Sequence, residues 1–261
     1  MAGELRSDRP AEGVLRLTIV NAAKRNALDH GILDALTAQL RSLEDVRCVV
    51  LTGADGIFSS GYDIGEIPAE RFAVEAEKLV AHPFSEALAA LDDVGVPTVA
   101  LLCGATIGGG LELALACDLR LACETVRLGM PPARLGLVYS HTGIRRFLDA
   151  IGEPRTRELF LLGRQLDAHT ALSWGLVNWV VDDDALEAAS LELASELVGN
   201  APLSMAGNKR VLRELLLARS ALDPDVEREL LALRESSFGS EDLLEGVSAF
   251  AQKRPPSWKG R

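Results

Sequence analysis

Gly104-Ala105-Thr106-Ile107-Gly108-Gly109-Gly110-Leu111-Glu112-Leu113-Ala114 is the stretch on which the reading of this chain turns. Just before it, Thr98-Val99-Ala100-Leu101-Leu102 is apolar on both faces, the signature of a strand buried inside a sheet. Leu111 to Ala116 reads as a buried helix, so the glycines form a tight strand-to-helix turn. Backbone N–H groups at a helix start have no intrahelical partner, and the helix dipole adds positive potential there. Glycine lets a ligand approach that backbone closely. Such a turn can hold an anion or stabilise an oxyanion that develops during a reaction; the plain alternative is a turn that binds nothing. The run is neither G-x-G-x-x-G nor a P-loop, because no Lys-Ser/Thr follows it.

Outward from this stretch, Val14 to Val20 and Val46 to Leu51 read as strands, and Thr52 to Gly56 as a turn. Asn26 to Leu43 reads as a helix with Leu28, Ile32, Leu36 and Leu40 on one face. Further helix is expected over roughly Glu70 to Leu91, and short strands over Leu119 to Ala122 and Val126 to Leu128. From about Thr142 the pattern becomes helical: Arg145 to Ile151, Arg155 to Leu162, Ala168 to Trp174, Ala185 to Val198, Leu203 to Ala218, Val226 to Glu235 and Glu241 to Gln252. One last short strand is expected at Val177 to Val181. The layout is an α/β core, residues 1–195, followed by a helical region, residues 196–261.

The chain has 261 residues, 27 Lys and Arg against 38 Asp and Glu, and a net charge of −11. Such a surface repels phosphate backbones and anionic lipid, so neither nucleic acid nor membrane is an expected partner. The four cysteines, Cys48, Cys103, Cys117 and Cys123, lie in apolar segments without a C-x-x-C pair, as expected of buried thiols in a reducing cytoplasm. His30, His82, His141 and His169 share no metal-ligand spacing, so no metal is expected; His141 is expected to cap the helix that follows it or to line a pocket. No G-x-S-x-G elbow offers a hydrolase nucleophile. Met1 to Gly13 lacks an apolar signal core, and Val94 to Ile107 is too short and broken to span a bilayer, so a soluble cytoplasmic protein is expected.

A second glycine-flanked segment, Phe58-Ser59-Ser60-Gly61-Tyr62-Asp63-Ile64, follows the second strand and could aim its amides at the same point as the triple glycine. Glu112 lies one turn into an apolar helix, where an acid is costly unless paired or functional.

These segments, taken in order with Lys24-Arg25-Asn26-Ala27-Leu28, Cys117-Asp118, Glu245-Gly246, Ala249-Phe250 and Lys253-Arg254-Pro255-Pro256, resemble the crotonase (enoyl-CoA hydratase/isomerase) superfamily over nearly the whole chain. The resemblance implies the ClpP/crotonase-like fold, a superhelix of stacked β-β-α turns ending in a helical trimerisation region, assembled as a homo-trimer or hexamer. It implies an acyl-CoA thioester as substrate, with coenzyme A as part of that substrate rather than a cofactor. The thioester carbonyl would sit between the amides of Tyr62 and Gly109, which would stabilise an enolate. Lys24, Arg25 and Ala27 would lie near the CoA, along with Ser59, Gly61, Asp63 and Ile64; Phe250 and Lys253 would meet it from the C-terminal helix of an adjacent subunit.

One departure bears on the reaction. A hydratase of this family uses two glutamates, a base and an acid. Glu112 matches the first, but the stretch that should end in the second reads Leu128-Gly129-Met130-Pro131-Pro132, and Pro132 cannot transfer a proton. Pro131 to Ile144, with Tyr139 downstream, resembles the methylmalonyl-CoA decarboxylase branch; Tyr62 and Gly65 replace two histidines of that branch's G-H-D-I-H-E-L-P segment. The expected enzyme is a decarboxylating lyase with Tyr139 and Glu112 as catalytic side chains. Hydration or isomerisation by Glu112 alone, and a silent acyl-CoA-binding protein, are the alternatives.

Overall fold

The computed structural model describes residues 2–63, 80–219 and 222–261, with backbone alone for 80 and 81. Strand β1 (Glu4–Ala11) pairs antiparallel with β2 (Val14–Val20), with a register shift between Asp8 and Ala11. Its side chains are mostly exposed, so no buried alternation announced it, and the sequence reading left this segment without a strand. From β2 the sheet continues in parallel through β3 (Cys48–Gly53) and β4 (Thr98–Leu102). Strands β5 (Ala105–Ile107), β6 (Leu119–Cys123) and β7 (Arg127–Gly129) follow in the chain. Two more are β8 (Gln165–Leu166) and β9 (Trp179–Val181). The main sheet has the order β1-β2-β3-β4-β6-β9, and β5-β7-β8 form a small second sheet.

Period-two alternation splits each parallel strand between two cores. Val49 and Leu51 of β3 face the main core, while Cys48 and Val50 join Val14, Val99, Leu101 and Leu121 on the other face. Helix α1 (His30–Arg41) covers the main core with Ile32, Leu33, Leu36 and Leu40. It starts later than the periodicity suggested because Asp29 caps it, accepting from the amide of Ile32. The expected helix over Glu70 to Leu91 lies partly outside the described residues; its end is α2 (Ser85–Asp93), preceded by a π turn over Val80–Phe84. The glycine run is not all turn: residues Ala105–Ile107 pair with β7, and α3 (Gly109–Ala116) starts at the second glycine of the triplet.

Helices α4 (Pro132–Leu135) and α5 (His141–Leu162) follow; α5 is broken at Gly152 (φ 74°, ψ 169°), which separates the two helices expected there. Ser140, not His141, caps α5 by accepting from the Gly143 amide, because the short hydroxyl reaches back where an imidazole in the first turn cannot. After α6 (Ala168–Trp174) comes α7 (Leu186–Gly199), whose Ala194 closes the second core. The boundary expected at 195/196 therefore cuts a packed helix; the break falls at Asn200-Ala201, before α8 (Pro202–Ala218). No residue of α8 is buried.

Helices α9 (Pro224–Phe238) and α10 (Glu241–Ala251) follow, and α10 packs on α4 and α9. A Cβ on Gly246 of α10 would stand 2.4 Å from the Leu135 carbonyl, so only glycine permits α10 to lie against α4. Among the described residues, no helix is long and apolar enough to cross a membrane.

Candidate active site

Backbone pairing brings the two glycine segments together. The Ser59 amide donates to Ala105 O (3.0 Å) and Ser59 O accepts from Ile107 N (3.0 Å), laying residues 59–62 along β5. On its other side this segment pairs with Leu28, whose amide donates to Gly61 O (2.8 Å) and whose carbonyl accepts from Asp63 N (2.9 Å). Tyr62 thereby sits beside the start of α3. The Gly109 amide lies 3.6 Å from where a Cβ of Gly61 would stand, and among the described residues nothing accepts from the Tyr62 or Gly109 amide. Amides without an acceptor are the kind of donor that a developing oxyanion requires.

The glycines differ in purpose. Gly108 (φ 57°, ψ −124°) and Gly61 (φ 99°) hold backbone that side chains strain. Gly109 leaves room for the Tyr62 ring, 2.6 Å from a would-be Cβ, and Gly110 for Ser59, at 2.7 Å. The fully buried Ser59 hydroxyl accepts from the Gly61 amide (3.1 Å) and fixes the turn.

Glu112 is 2% exposed and accepts a 2.5 Å hydrogen bond from the Tyr139 hydroxyl, which lies 3.5 Å from the Tyr62 hydroxyl. The wall around this trio is aromatic: Phe84 meets Tyr62 edge-on at 4.9 Å, and Phe160 meets Tyr139 at 5.5 Å. Gly143 of α5 presses on the trio, where a Cβ would meet both Tyr139 (2.6 Å) and Glu112 (2.9 Å). Burial pushes the Glu112 carboxyl above its ordinary value, opposed by the Tyr139 hydrogen bond and by the charges of Arg146 and Arg234. Burial and the nearby Glu112 charge push both tyrosines well above 10, so both stay protonated.

Arg234 and Arg146 escaped the sequence reading. Arg234 sits on α9, buried, its guanidinium 5.4 Å over the Phe238 ring, and belongs to the region read as oligomerisation helices. Arg146 holds Asp92 through two hydrogen bonds, 2.9 and 2.5 Å. The Arg146–Asp92 pair and the charge that Arg234 brings to Glu112 join residues far apart in the chain, for which no local signal exists.

The Lys24–Leu28 segment is a self-contained turn. The amides of Lys24, Arg25 and Ala27, the residues expected to lie near the CoA, donate to Asn21 O, Ala22 O and Lys24 O. The Lys24 Nζ pairs with Asp63 at 2.9 Å. Asn26, 1% exposed with φ 56°, locks the turn by accepting from Asn21 N and donating to Ala54 O and Ile57 O. Ile64 lies outside the described residues. Phe250 and Lys253 are solvent-exposed at the end of α10 and make no bond to the Tyr62–Gly109 pair in one chain.

Among the described residues, the fold carries two amides without an acceptor beside a buried carboxylate. The family model for enoyl-CoA hydratase/isomerase matches residues 9–261, and the chain belongs to that family, the crotonase superfamily of acyl-CoA-processing enzymes. It is 33% identical over 257 residues to a carnitinyl-CoA dehydratase of Citrobacter koseri and 34% over 260 residues to one of Salmonella enteritidis, with 95% of each chain covered in both cases. Among solved structures it resembles methylmalonyl-CoA decarboxylase complexed with 2S-carboxypropyl CoA (TM-score 0.90, 27% identity, 100% of both chains). It also resembles an enoyl-CoA hydratase/isomerase from Pseudoalteromonas atlantica (TM-score 0.83, 29% identity, 98% of this chain and 100% of that one).

Proposed function

We propose that the protein decarboxylates a 2-carboxyacyl-CoA of the methylmalonyl type. One observation carries this: Glu112 is the only buried acid among the described residues, it is bonded to Tyr139, and buried Pro132 stands where a second acid would be. Hydration needs both a base for water and an acid for carbon; decarboxylation needs an electron sink and one proton. The bond from C2 to the carboxylate breaks, its electron pair moves into the thioester enolate held by the Tyr62 and Gly109 amides, and neutral CO2 leaves past the aromatic wall of Phe84 and Phe160. Glu112, kept protonatable by burial, supplies the proton for C2 through the Tyr139 hydroxyl and is reprotonated from solvent. The sum is substrate plus H+ giving CO2 and the shortened acyl-CoA.

The identity to carnitinyl-CoA dehydratases favours a second reading, addition and removal of water with Glu112 as sole proton carrier. Parallel incubation with methylmalonyl-CoA and crotonyl-CoA, read by mass spectrometry, separates the two. Propionyl-CoA from the first with crotonyl-CoA unchanged is expected; 3-hydroxybutyryl-CoA with methylmalonyl-CoA intact overturns the proposal.

The working unit is a homo-trimer or a dimer of trimers. On α8, Leu203 is 88% exposed and Val211, Leu212 and Leu215 are 57–61% exposed; Leu233 of α9 and Leu161 of α5 extend the apolar surface. A helix this apolar and this uncovered calls for another chain. Sedimentation equilibrium is expected to give a mass that is a multiple of three chains, and a monomer at micromolar concentration would refute this.

A further inference from the structure

We propose that Cys103, Cys123 and Asp183 form a binding site for a thiophilic divalent cation of the zinc class, apart from the acyl-CoA site. The argument begins with register. Parallel strands β4 and β6 pair Leu102 with Ala122, so the next residues, Cys103 just past β4 and Cys123 at the end of β6, lie side by side. Their sulfurs lie 2.7 Å apart. Cys123 also pairs with Val181 of β9, and the chain two residues later delivers Asp183 to the same spot. One ligand atom from each of the three residues falls within 4.8 Å of the others.

The carboxylate is held in place. Thr125 donates its amide to Asp183 Oδ1 (3.1 Å) and its hydroxyl to Oδ2 (2.5 Å), and the Thr125 hydroxyl is 3.3 Å from the Cys123 sulfur. Supporting bonds of this kind orient ligands at metal sites. Two sulfurs and one carboxylate oxygen match the preference of zinc-class ions, and tetrahedral binding leaves a fourth place for water. Asp183 and Thr125 are exposed, so solvent and ions reach the cluster. Tetrahedral bonds of ~2.3 Å put ligand sulfurs about 3.7 Å apart, so a rotation of the thiols by about 1 Å opens the pair. Binding is a substitution without redox: the cation gains two thiolates and a carboxylate, and the thiol protons go to solvent.

The three ligands come from the ends of β4, β6 and β9. An ion there would pin the three-residue edge strand β9 to the sheet. It would also brace the Cys103 carbonyl, which accepts from the Phe58 amide (2.9 Å) at the start of the oxyanion segment.

The test uses the full chain, reduced and stripped with a chelator, then titrated with Co2+ as an optical probe. A thiolate-to-cobalt charge-transfer band saturating at one ion per chain and displaced by Zn2+ is expected. C103S, the more exposed substitution, and C123S should each lose the band, while D183N should keep it with affinity weakened about tenfold. Zn2+ should raise the Tm of the parent and not of C103S. Absence of the band in the reduced protein overturns the site, as does a band that survives in C103S/C123S. A mild thiol oxidant that joins Cys103 to Cys123 in a chain that takes up no cobalt makes the pair a redox couple and equally overturns the proposal.

Discussion

Gly61→Ala lowers kcat by about 10²–10³-fold while leaving CoA binding close to its parental strength. The effect follows from where the new methyl group goes. At φ 99° the Cβ would stand 2.9 Å from the Ile107 carbonyl and 3.6 Å from the Gly109 amide nitrogen. The first contact is too short to stand, so residues 61–62 must shift away from β5. The second places carbon beside the donor that the thioester oxygen would use. Loss of one oxyanion donor costs about 3–4 kcal/mol in the barrier, and the left-handed backbone adds about 1–3 kcal/mol of strain on the folded state. Strain alone would lower Tm and leave the turnover of the folded fraction unchanged. The kinetics therefore decide: kcat falls, while inhibition by free CoA, which lacks the acyl carbonyl, does not weaken. Full kcat in folded Gly61→Ala would mean that the carbonyl binds elsewhere.

This prediction rests on a part of the site that was legible from sequence, and its legibility has a cause. Gly61, Gly108, Gly109 and Gly110 are each demanded locally, by a positive φ or by a neighbour less than 3 Å from a would-be Cβ, and such demands leave a residue-type signature. The buried strand at Thr98–Leu102 was equally legible, since all five residues are buried and apolar or hydrogen-bonded, as Thr98 is to Asp118. Strand β1 was not, because an edge strand with one partner and mostly exposed side chains has no pattern to keep. The Glu112–Tyr139 bond joins residues 27 apart in sequence, and the approach of Arg234 depends on where α9 packs; packing sets such meetings, not spacing. The motif at Lys24, Arg25 and Ala27 was recognisable, but that its amides close a turn is displayed only by the hydrogen-bond pattern.

Glu112→Gln is expected to divide activity from stability. In the proposed reaction Glu112 is the proton source for the enolate carbon, and an amide cannot fill that role, so turnover falls by about 10²–10⁴-fold. Stability moves the other way. Burial raises the folded-state pKa of Glu112 above its ordinary 4.5, so the folded chain holds this proton more tightly than the unfolded chain does. Stability from this group is therefore greatest below pH 4.5 and declines as pH rises toward the raised folded value. Above that value the whole cost of burying a carboxylate stands, about 1.4 kcal/mol for each pH unit of the elevation. Glutamine has no such cost, and its carbonyl can still accept from Tyr139. Denaturant titrations at pH 7 should thus show Glu112→Gln more stable than the parent, with the gap closing as the pH is lowered to 4. A variant that loses stability at pH 7 would make the ionised carboxylate a structural partner of Arg146 and Arg234; one that keeps its turnover would move the proton source to another group. The expected pair, a more stable and nearly inactive protein, is the mark of a carboxyl group retained for chemistry at the expense of the fold.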